Sequence, residues 1–137
     1  PAPLPRHFPP QGYWVPPTLL APVDPGHRLA QEEIFGPVQV VIAFDGATAA
    51  EAESRALAIA NGTRYGLVAG VWTRDGSRAL RMARRLQCGQ VFINNYGAAG
   101  GIELPFGGVK DSGHGREKGF EALYGFSALK TVAIRHD

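Results

Sequence analysis

Three short apolar runs recur along the chain and predict buried β-strands. Residues 38–44 are apolar apart from Gln39, and residues 67–73 and 90–94 are also rich in apolar side chains. A nearly continuous apolar run of this length is typical of a strand that is covered on both faces. The three runs therefore predict three interior strands.

The segment after the first run predicts an amphipathic helix. Thr48 stands three residues before Glu51, which is the spacing of a capping box, and Asn61 with Gly62 makes a good helix stop. Small apolar residues recur near one face of this helix, namely Ala49, Ala52, Ala56, Ile59 and Ala60.

A second helix is predicted between the second and third runs, where Asp75 or Ser77 can serve as the cap and Gly89 ends the helix. Each crossover takes roughly 30 residues, the length of a βαβ unit. The sequence therefore predicts an α/β fold, with a partial parallel sheet of βαβαβ type and helices on its faces. The residues expected to point inward from the second helix are Ala79, Leu80, Ala83 and Leu86.

The remaining segments differ in pattern from this α/β unit. The chain opens with a proline-rich stretch, which predicts an extended lead-in and favours a linker over a proline-rich ligand. Residues 97–115 contain seven glycines and predict a long loop, and a short helix is expected at residues 116–123. Residues 130–135 alternate as a half-buried strand does. These patterns divide the chain into residues 1–17, 18–128 and 129–137.

Composition and charge exclude several classes of function. The hydrophobic fraction of 45% and the charged fraction of 19% are those of a soluble globular protein, and no apolar stretch is long enough to span a bilayer. A net charge of +2 gives no strong field, so neither nucleic acid nor a membrane is expected as a partner. One arginine stripe could bind phosphate, but its spacing favours the solvent face of a helix. The stripe consists of Arg78, Arg81, Arg84 and Arg85.

The single cysteine and the first residue bear on the setting of the chain. Cys88 has no partner for an intrachain disulfide, which fits a reducing cytoplasm. Because it follows the carboxy terminus of the second predicted helix, whose dipole disfavours an anion, we expect Cys88 to pack in the core rather than act as a nucleophile. Since the chain begins with Pro1 and not with Met, we expect a processed product or a piece of a longer protein.

Several common chemical motifs fail on inspection. The four histidines show no ligand spacing, so no metal site is expected. Residues 113–119 nearly match a dinucleotide fingerprint, but the third glycine comes one place late, and residues 106–110 lack the ends of a P-loop. Ser112 and His114 have no obvious acid to orient the imidazole.

A pair of carboxylates before the first strand is more informative. Glu32 and Glu33 are followed closely by Phe35. A carboxylate at a strand entrance can accept hydrogen bonds from vicinal hydroxyls, as acids do for ribose in dinucleotide sites. The ring of Phe35 can lie against a planar group. The alternative interpretation is a solvated Glu pair beside a core Phe.

Five ordered segments resemble one known family. They are residues 12–20 (GYWVPPTLL), 32–38 (EEIFGPV), 61–67 (NGTRYGL), 90–94 (QVFIN) and 105–117 (PFGGVKDSGHGRE). Together they resemble the NAD(P)-dependent aldehyde dehydrogenases. The chain is similar to a carboxy-terminal fragment of the catalytic domain, which would take in residues 18–128, with an oligomerisation strand in residues 129–137.

The resemblance implies roles for individual residues. Glu33 would bind the nicotinamide ribose hydroxyls of NAD or NADP, and Phe35 would pack beside the nicotinamide. Phe106 would line the aldehyde tunnel, with Gly100 of the preceding loop as a second substrate-side residue. Glu117 would serve as a proton relay behind the catalytic base, held by neighbours such as Arg116 and Lys110. The strand at residues 130–135 would join the sheet through which homo-oligomers form.

The reaction that the resemblance implies is oxidation of an aldehyde to a carboxylic acid. A cysteine thiolate would form a thiohemiacetal, hydride transfer to NAD(P)⁺ would give a thioester, and a glutamate-activated water would hydrolyse it. The family's nucleophile and base belong to segments upstream of the five quoted above, so the isolated chain is expected to be inactive and to self-associate. The alternatives are a non-catalytic binding module that retains the fold and, with less support, a proline-rich adaptor.

The loop between Asn94 and Phe106 departs from the family pattern. Many relatives carry a bulky aromatic there, whereas this chain has the small residues of 97–101. A wider tunnel mouth that admits larger aldehydes is the resulting hypothesis.

Overall fold

The structure is a computed structural model that describes residues 11–97 and 101–137. The chain separates into two compact units, one ending at Thr63 and the other beginning at Arg64. Both units combine a pair of short parallel strands with helices, so the α/β class is confirmed.

The first unit pairs a strand near its beginning with the strand that follows the carboxylates. The parallel register joins Thr18 to Val38 and Leu20 to Val40, and the Val41 amide extends the ladder by donating to the Leu20 carbonyl at 2.8 Å. Its elements are β1 (Thr18–Leu20), α1 (Arg28–Gln31), β2 (Val38–Val40) and α2 (Ala49–Asn61).

Helix α2 begins and ends where its sequence predicts. The Thr48 hydroxyl accepts a hydrogen bond from the Glu51 amide at 3.2 Å, and the Glu51 carboxylate accepts one from the Ala47 amide at 2.9 Å. This is the reciprocal arrangement of a capping box, displaced by one residue on its return side. The helix ends at Asn61, and Leu57, which lies outside the predicted inward set, is its buried residue.

The second unit contains a βαβ crossover. Its elements are β3 (Val68–Val71), α3 (Gly76–Arg85) and β4 (Gln90–Ile93), and the two strands pair in parallel. The Asp75 carboxylate caps α3 by accepting from the Arg78 amide at 3.0 Å, which decides between the two predicted caps. Val71 and Ala79 are buried where the strand and the helix meet.

Three predictions about the elements are corrected. Within residues 11–97 and 101–137, β2 pairs with β1 and not with β3, so no single βαβαβ sheet forms. The short helix expected at residues 116–123 begins later, as α4 at Ala122–Gly125. The loop before it contains a 3₁₀ turn at Lys110–Ser112. Leu80 is 58% exposed rather than inward. Strand partners are chosen by tertiary contacts that a local pattern does not contain.

The ends of the chain have little regular structure. Residues 11–17 form neither helix nor strand. Residues 130–135 form no strand. Among the described residues, no helix has the length and apolar character needed to cross a membrane.

Candidate functional site

The carboxylate segment of the first unit borders an open hollow. The hollow has a volume of about 430 Å³ and lies beside α1 and β2. Its floor is aliphatic and its rim carries both carboxylates and the aromatic ring. The lining residues are Leu29, Glu32, Glu33, Ile34, Phe35, Gly36, Val38 and Val40.

The two adjacent glutamates differ in what they bind. The Arg28 guanidinium donates to the Glu32 carboxylate at 2.7 Å, one turn along α1. This hydrogen bond and the attraction of the two charges raise the pKa of Arg28. The exposed Glu33 carboxylate has no hydrogen bond or ion pair with any residue in the described ranges. Glu33 is therefore the member of the pair with both carboxylate oxygens free of a partner among the described residues.

Phe35 presents its ring to solvent. Its side chain is 92% exposed, so it is not part of a core formed by the described residues, and its backbone has a φ of 52°. Left-handed backbone is uncommon for a bulky residue and is concentrated at functional sites. The aromatic face and the Glu33 carboxylate share one hollow. These groups fit a ligand that joins a planar ring to a vicinal diol, as the nicotinamide riboside of NAD(P) does.

The second unit has its own hollow, of about 240 Å³, bordered by β3, β4 and the glycine-rich loop. Aromatic and aliphatic side chains make up most of its wall. The lining residues are Val68, Gln90, Phe92, Tyr96, Gly97, Gly101, Leu104, Phe106 and Lys118.

Backbone contacts hold Phe106 in the wall of this second hollow. Phe106 and Glu117 exchange two backbone hydrogen bonds, each 2.6 Å long, in an antiparallel bridge. The Gln90 side chain donates to the Pro105 carbonyl at 2.9 Å, which ties the same loop to β4. The half-buried ring of Phe106 therefore has a fixed place beside the hollow.

Glu117 lies next to Phe106 but is not held as its sequence predicts. Its side chain is exposed and forms no ion pair with Arg116 within the described part of the chain. The Arg116 guanidinium donates instead to the carbonyls of Gly108 at 2.9 Å and Gly115 at 2.6 Å. The predicted support by Arg116 is therefore wrong. Gly100 lies outside the described residues.

Hydrogen bonds join the loop that carries Phe106 to the turn before β3. The sequence did not predict this connection. The Ser112 hydroxyl accepts from the Gly66 amide at 2.9 Å, and the Gly66 carbonyl accepts from the Val109 amide at 2.9 Å. Gly66 has no room for a side chain, because a Cβ there would lie 2.6 Å from the Gln87 carbonyl oxygen. An ion pair between Arg64 and Asp111 joins the same two segments. Both segments belong to motifs quoted above, residues 61–67 and 105–117, but the spacing of the motifs does not predict that they are in contact.

Cys88 behaves as a packed residue. Its thiol donates to the Gln90 carbonyl at 3.1 Å, and burial raises its pKa above the ordinary value for a thiol. A raised pKa leaves less thiolate at neutral pH, in agreement with the predicted packing role. Three of the four arginines of the predicted solvent face, Arg81, Arg84 and Arg85, are exposed on α3, and Arg78 is half-buried. Within residues 11–97 and 101–137, no three His, Cys, Asp or Glu side chains cluster as metal ligands would.

Comparison with known proteins identifies the family that this chain resembles. Residues 5–132 match the model of the aldehyde dehydrogenase family. The NADP/NAD-dependent aldehyde dehydrogenase PuuC of Escherichia coli (strain K12) is 52% identical over 118 residues, which cover 86% of this chain and 22% of PuuC.

Solved structures agree with that match. A Burkholderia cenocepacia protein assigned to the aldehyde dehydrogenases is 70% identical, with a TM-score of 0.74 over 84% of this chain and 23% of that one. The P. syringae indole-3-acetaldehyde dehydrogenase in complex with NAD⁺ is 45% identical, with a TM-score of 0.71 over 79% of this chain and 20% of that one. The chain thus spans about a fifth to a quarter of the length of these relatives.

Proposed function

The chain belongs to the aldehyde dehydrogenase family, and we propose that it forms the part of an NAD(P)⁺-dependent aldehyde oxidoreductase that binds the nicotinamide riboside and lines the aldehyde path. The observation that carries the proposal is the hollow of the first unit, where an unpaired carboxylate and an exposed ring stand together. The names of the relatives support the cofactor, since PuuC is NADP/NAD-dependent and the P. syringae enzyme is in complex with NAD⁺.

Each site residue has one proposed task. Glu33 accepts hydrogen bonds from the ribose hydroxyls, and Phe35 covers one face of the nicotinamide. NAD(P)⁺ held by these two residues would supply the hydride acceptor for the reaction. Phe106 and Gly100 border the aldehyde, and the exposed Glu117 carboxylate relays a proton between solvent and the catalytic base.

The covalent steps are proposed to use residues outside this sequence. A cysteine thiolate attacks the aldehyde carbon, and loss of hydride turns the thiohemiacetal into a thioester. Water, deprotonated by a glutamate, then cleaves the thioester to the acid and returns the thiol. The 137 residues alone should therefore show no turnover with an aldehyde and NAD⁺ in an absorbance assay for NADH.

Glu33→Gln in the full-length enzyme tests the cofactor role, and its neighbour supplies the control. Hydrogen bonds to a charged group contribute about 1.5–3 kcal/mol each, so we expect the KM for NAD(P)⁺ to rise about tenfold or more. Glu32→Gln changes the same chemistry one residue away, at a carboxylate that already binds Arg28. It should leave that KM within about twofold. Equal effects of the two variants would contradict the assignment of Glu33.

The carboxy-terminal segment is proposed to become a strand only in the oligomer. Residues 130–135 alternate in polarity but pair with no strand among residues 11–97 and 101–137. Val132 and Ile134, which fall on the same side of such a strand, are 70% and 72% exposed. A sheet edge from another subunit would supply both the hydrogen bonds and the apolar cover that this segment lacks.

A further inference from the structure

One charged side chain lines the otherwise neutral hollow beside Phe106. The ammonium group of Lys118 lies 5.8 Å from the centre of the Phe106 ring. The other described lining residues are glycines, apolar or aromatic side chains, and the Gln90 amide. The Lys118 ammonium is thus the one charged group among the described lining residues, and the Glu103 carboxylate lies beside the lining residue Gly101.

The backbone on both sides of Lys118 is fixed. Glu117 is bridged to Phe106, and the Gly119 amide donates to the Ile102 carbonyl at 2.8 Å. Lys118 itself has a φ of 59°, an uncommon conformation for a residue other than glycine. The Cα–Cβ bond of the exposed Lys118 side chain therefore starts from a backbone that is held on both sides.

The Lys118 charge is not balanced by a neighbour. Its ammonium group forms no ion pair with a carboxylate in residues 11–97 or 101–137, and its one described interaction is with the Phe106 ring. A cation at the edge of an apolar wall attracts an anion more strongly than one in open water, because the wall lowers the effective dielectric constant. The hollow thus combines an apolar surface with one unbalanced positive charge.

We propose that Lys118 makes the enzyme selective for aldehydes that carry a carboxylate at the end remote from the reacting carbonyl. The inference rests on the proposed function, since it assumes that Phe106 borders the bound aldehyde. The apolar wall contacts the carbon chain of the substrate, and the ammonium group pairs with its carboxylate. An aldehyde with a cationic end is repelled by the same charge.

The test compares 4-oxobutanoate with its methyl ester in the full-length enzyme. The two probes share their carbonyl and carbon chain and differ in charge. Lys118→Met should lower kcat/KM for 4-oxobutanoate about fivefold, mainly through KM, as expected for loss of one ion pair at a protein surface. The ester should change by less than about twofold. Lys118→Arg should retain the preference, and Lys118→Glu should make the ester the better substrate.

Arg84→Met is the matched charge control. It also removes one positive charge, but from the exposed side of α3 and from a residue that does not line the hollow. It should leave the ratio between the two probes unchanged. Because each variant is judged by that ratio, partial loss of folded enzyme affects both probes alike and does not imitate the result.

Failure of the proposed function and failure of the inference about Lys118 give different experimental results. If the wild-type enzyme oxidises neither probe nor any other aldehyde with NAD(P)⁺, the proposed function is wrong and the inference falls with it. If the enzyme oxidises both probes but Lys118→Met lowers them equally, Lys118 has a structural role only, and the inference alone is overturned.

Discussion

Neighbouring residues of one chemical type have different surroundings in this protein. Glu32 is bound to Arg28 because α1 places the two side chains one turn apart, whereas Glu33 faces the hollow without a partner among the described residues. The two carboxylates are chemically identical, but only Glu32 is engaged in an ion pair. The proposed diol site therefore rests on Glu33, whose carboxylate is bound by no other described residue.

Cys88 gives a prediction at the same scale. Burial raises its pKa, so the folded chain holds the thiol proton more tightly than the unfolded chain does. The resulting contribution to stability is present below the unfolded pKa and is lost as pH rises through the folded pKa. The rate at which iodoacetamide alkylates Cys88 should rise with pH. The midpoint of this rise should lie at a higher pH in the folded chain than in the same chain unfolded in urea.

The cysteine count makes that experiment unambiguous. Cys88 is the one cysteine of the sequence, so all label incorporation reports on it, and the urea sample is the matched control. A native midpoint at or below the unfolded one would show an activated thiol instead. It would reopen the nucleophilic role that the position after α3 argues against.

The site was predictable from sequence only as far as motifs reach. The segment that contains Glu33 and Phe35 stands out in the sequence because a carboxylate pair and an aromatic ring precede a strand. The pairing of Glu32 with Arg28 depends on α1, a four-residue helix too short to leave a periodic pattern. The place of Lys118 beside Phe106 depends on an antiparallel bridge between distant backbone segments, which no local pattern encodes.

At the scale of elements, local chemistry predicts helix ends better than strand partners. Thr48 and Asp75 cap α2 and α3 as expected, because a cap is decided by residues three positions apart. Strand β1 was missed, since three residues are too few to show alternation or a long apolar run. Its pairing with β2 replaced the expected pairing of β2 with β3.

Residues 130–135 carry the prediction at this scale. In the proposed full-length oligomer their amides should exchange slowly with deuterium, because a strand from another subunit would accept their hydrogen bonds. In the isolated chain the same amides should exchange within the dead time of the experiment. Val132→Pro removes one donor in the middle of the strand and should weaken the oligomer in sedimentation experiments.

His136→Pro provides the matched control for that variant. It introduces the same ring just beyond the predicted strand and should leave both protection and assembly unchanged. Equal exchange of residues 130–135 in the full-length enzyme and in the isolated chain would contradict the proposed strand.

At the scale of the whole molecule, large apolar side chains are exposed in both described units. Buried hydrophobic residues among the described ones are confined to Leu57, Val71 and Ala79. Exposed apolar area of this extent is suited to contact with further protein.

We expect the isolated chain to self-associate for that reason. Trp72, Phe126 and Leu129 are 70%, 85% and 96% exposed, and each two-stranded sheet leaves unpaired edges. Exposed apolar area and open strand edges both favour association between copies. Light scattering of the purified 137 residues should give a mass that is above 14.6 kDa and increases with concentration. The full-length enzyme should instead give one discrete mass over the same range, because the remaining polypeptide covers these surfaces. A monodisperse monomer of the isolated chain would show that the exposed surface does not need a partner.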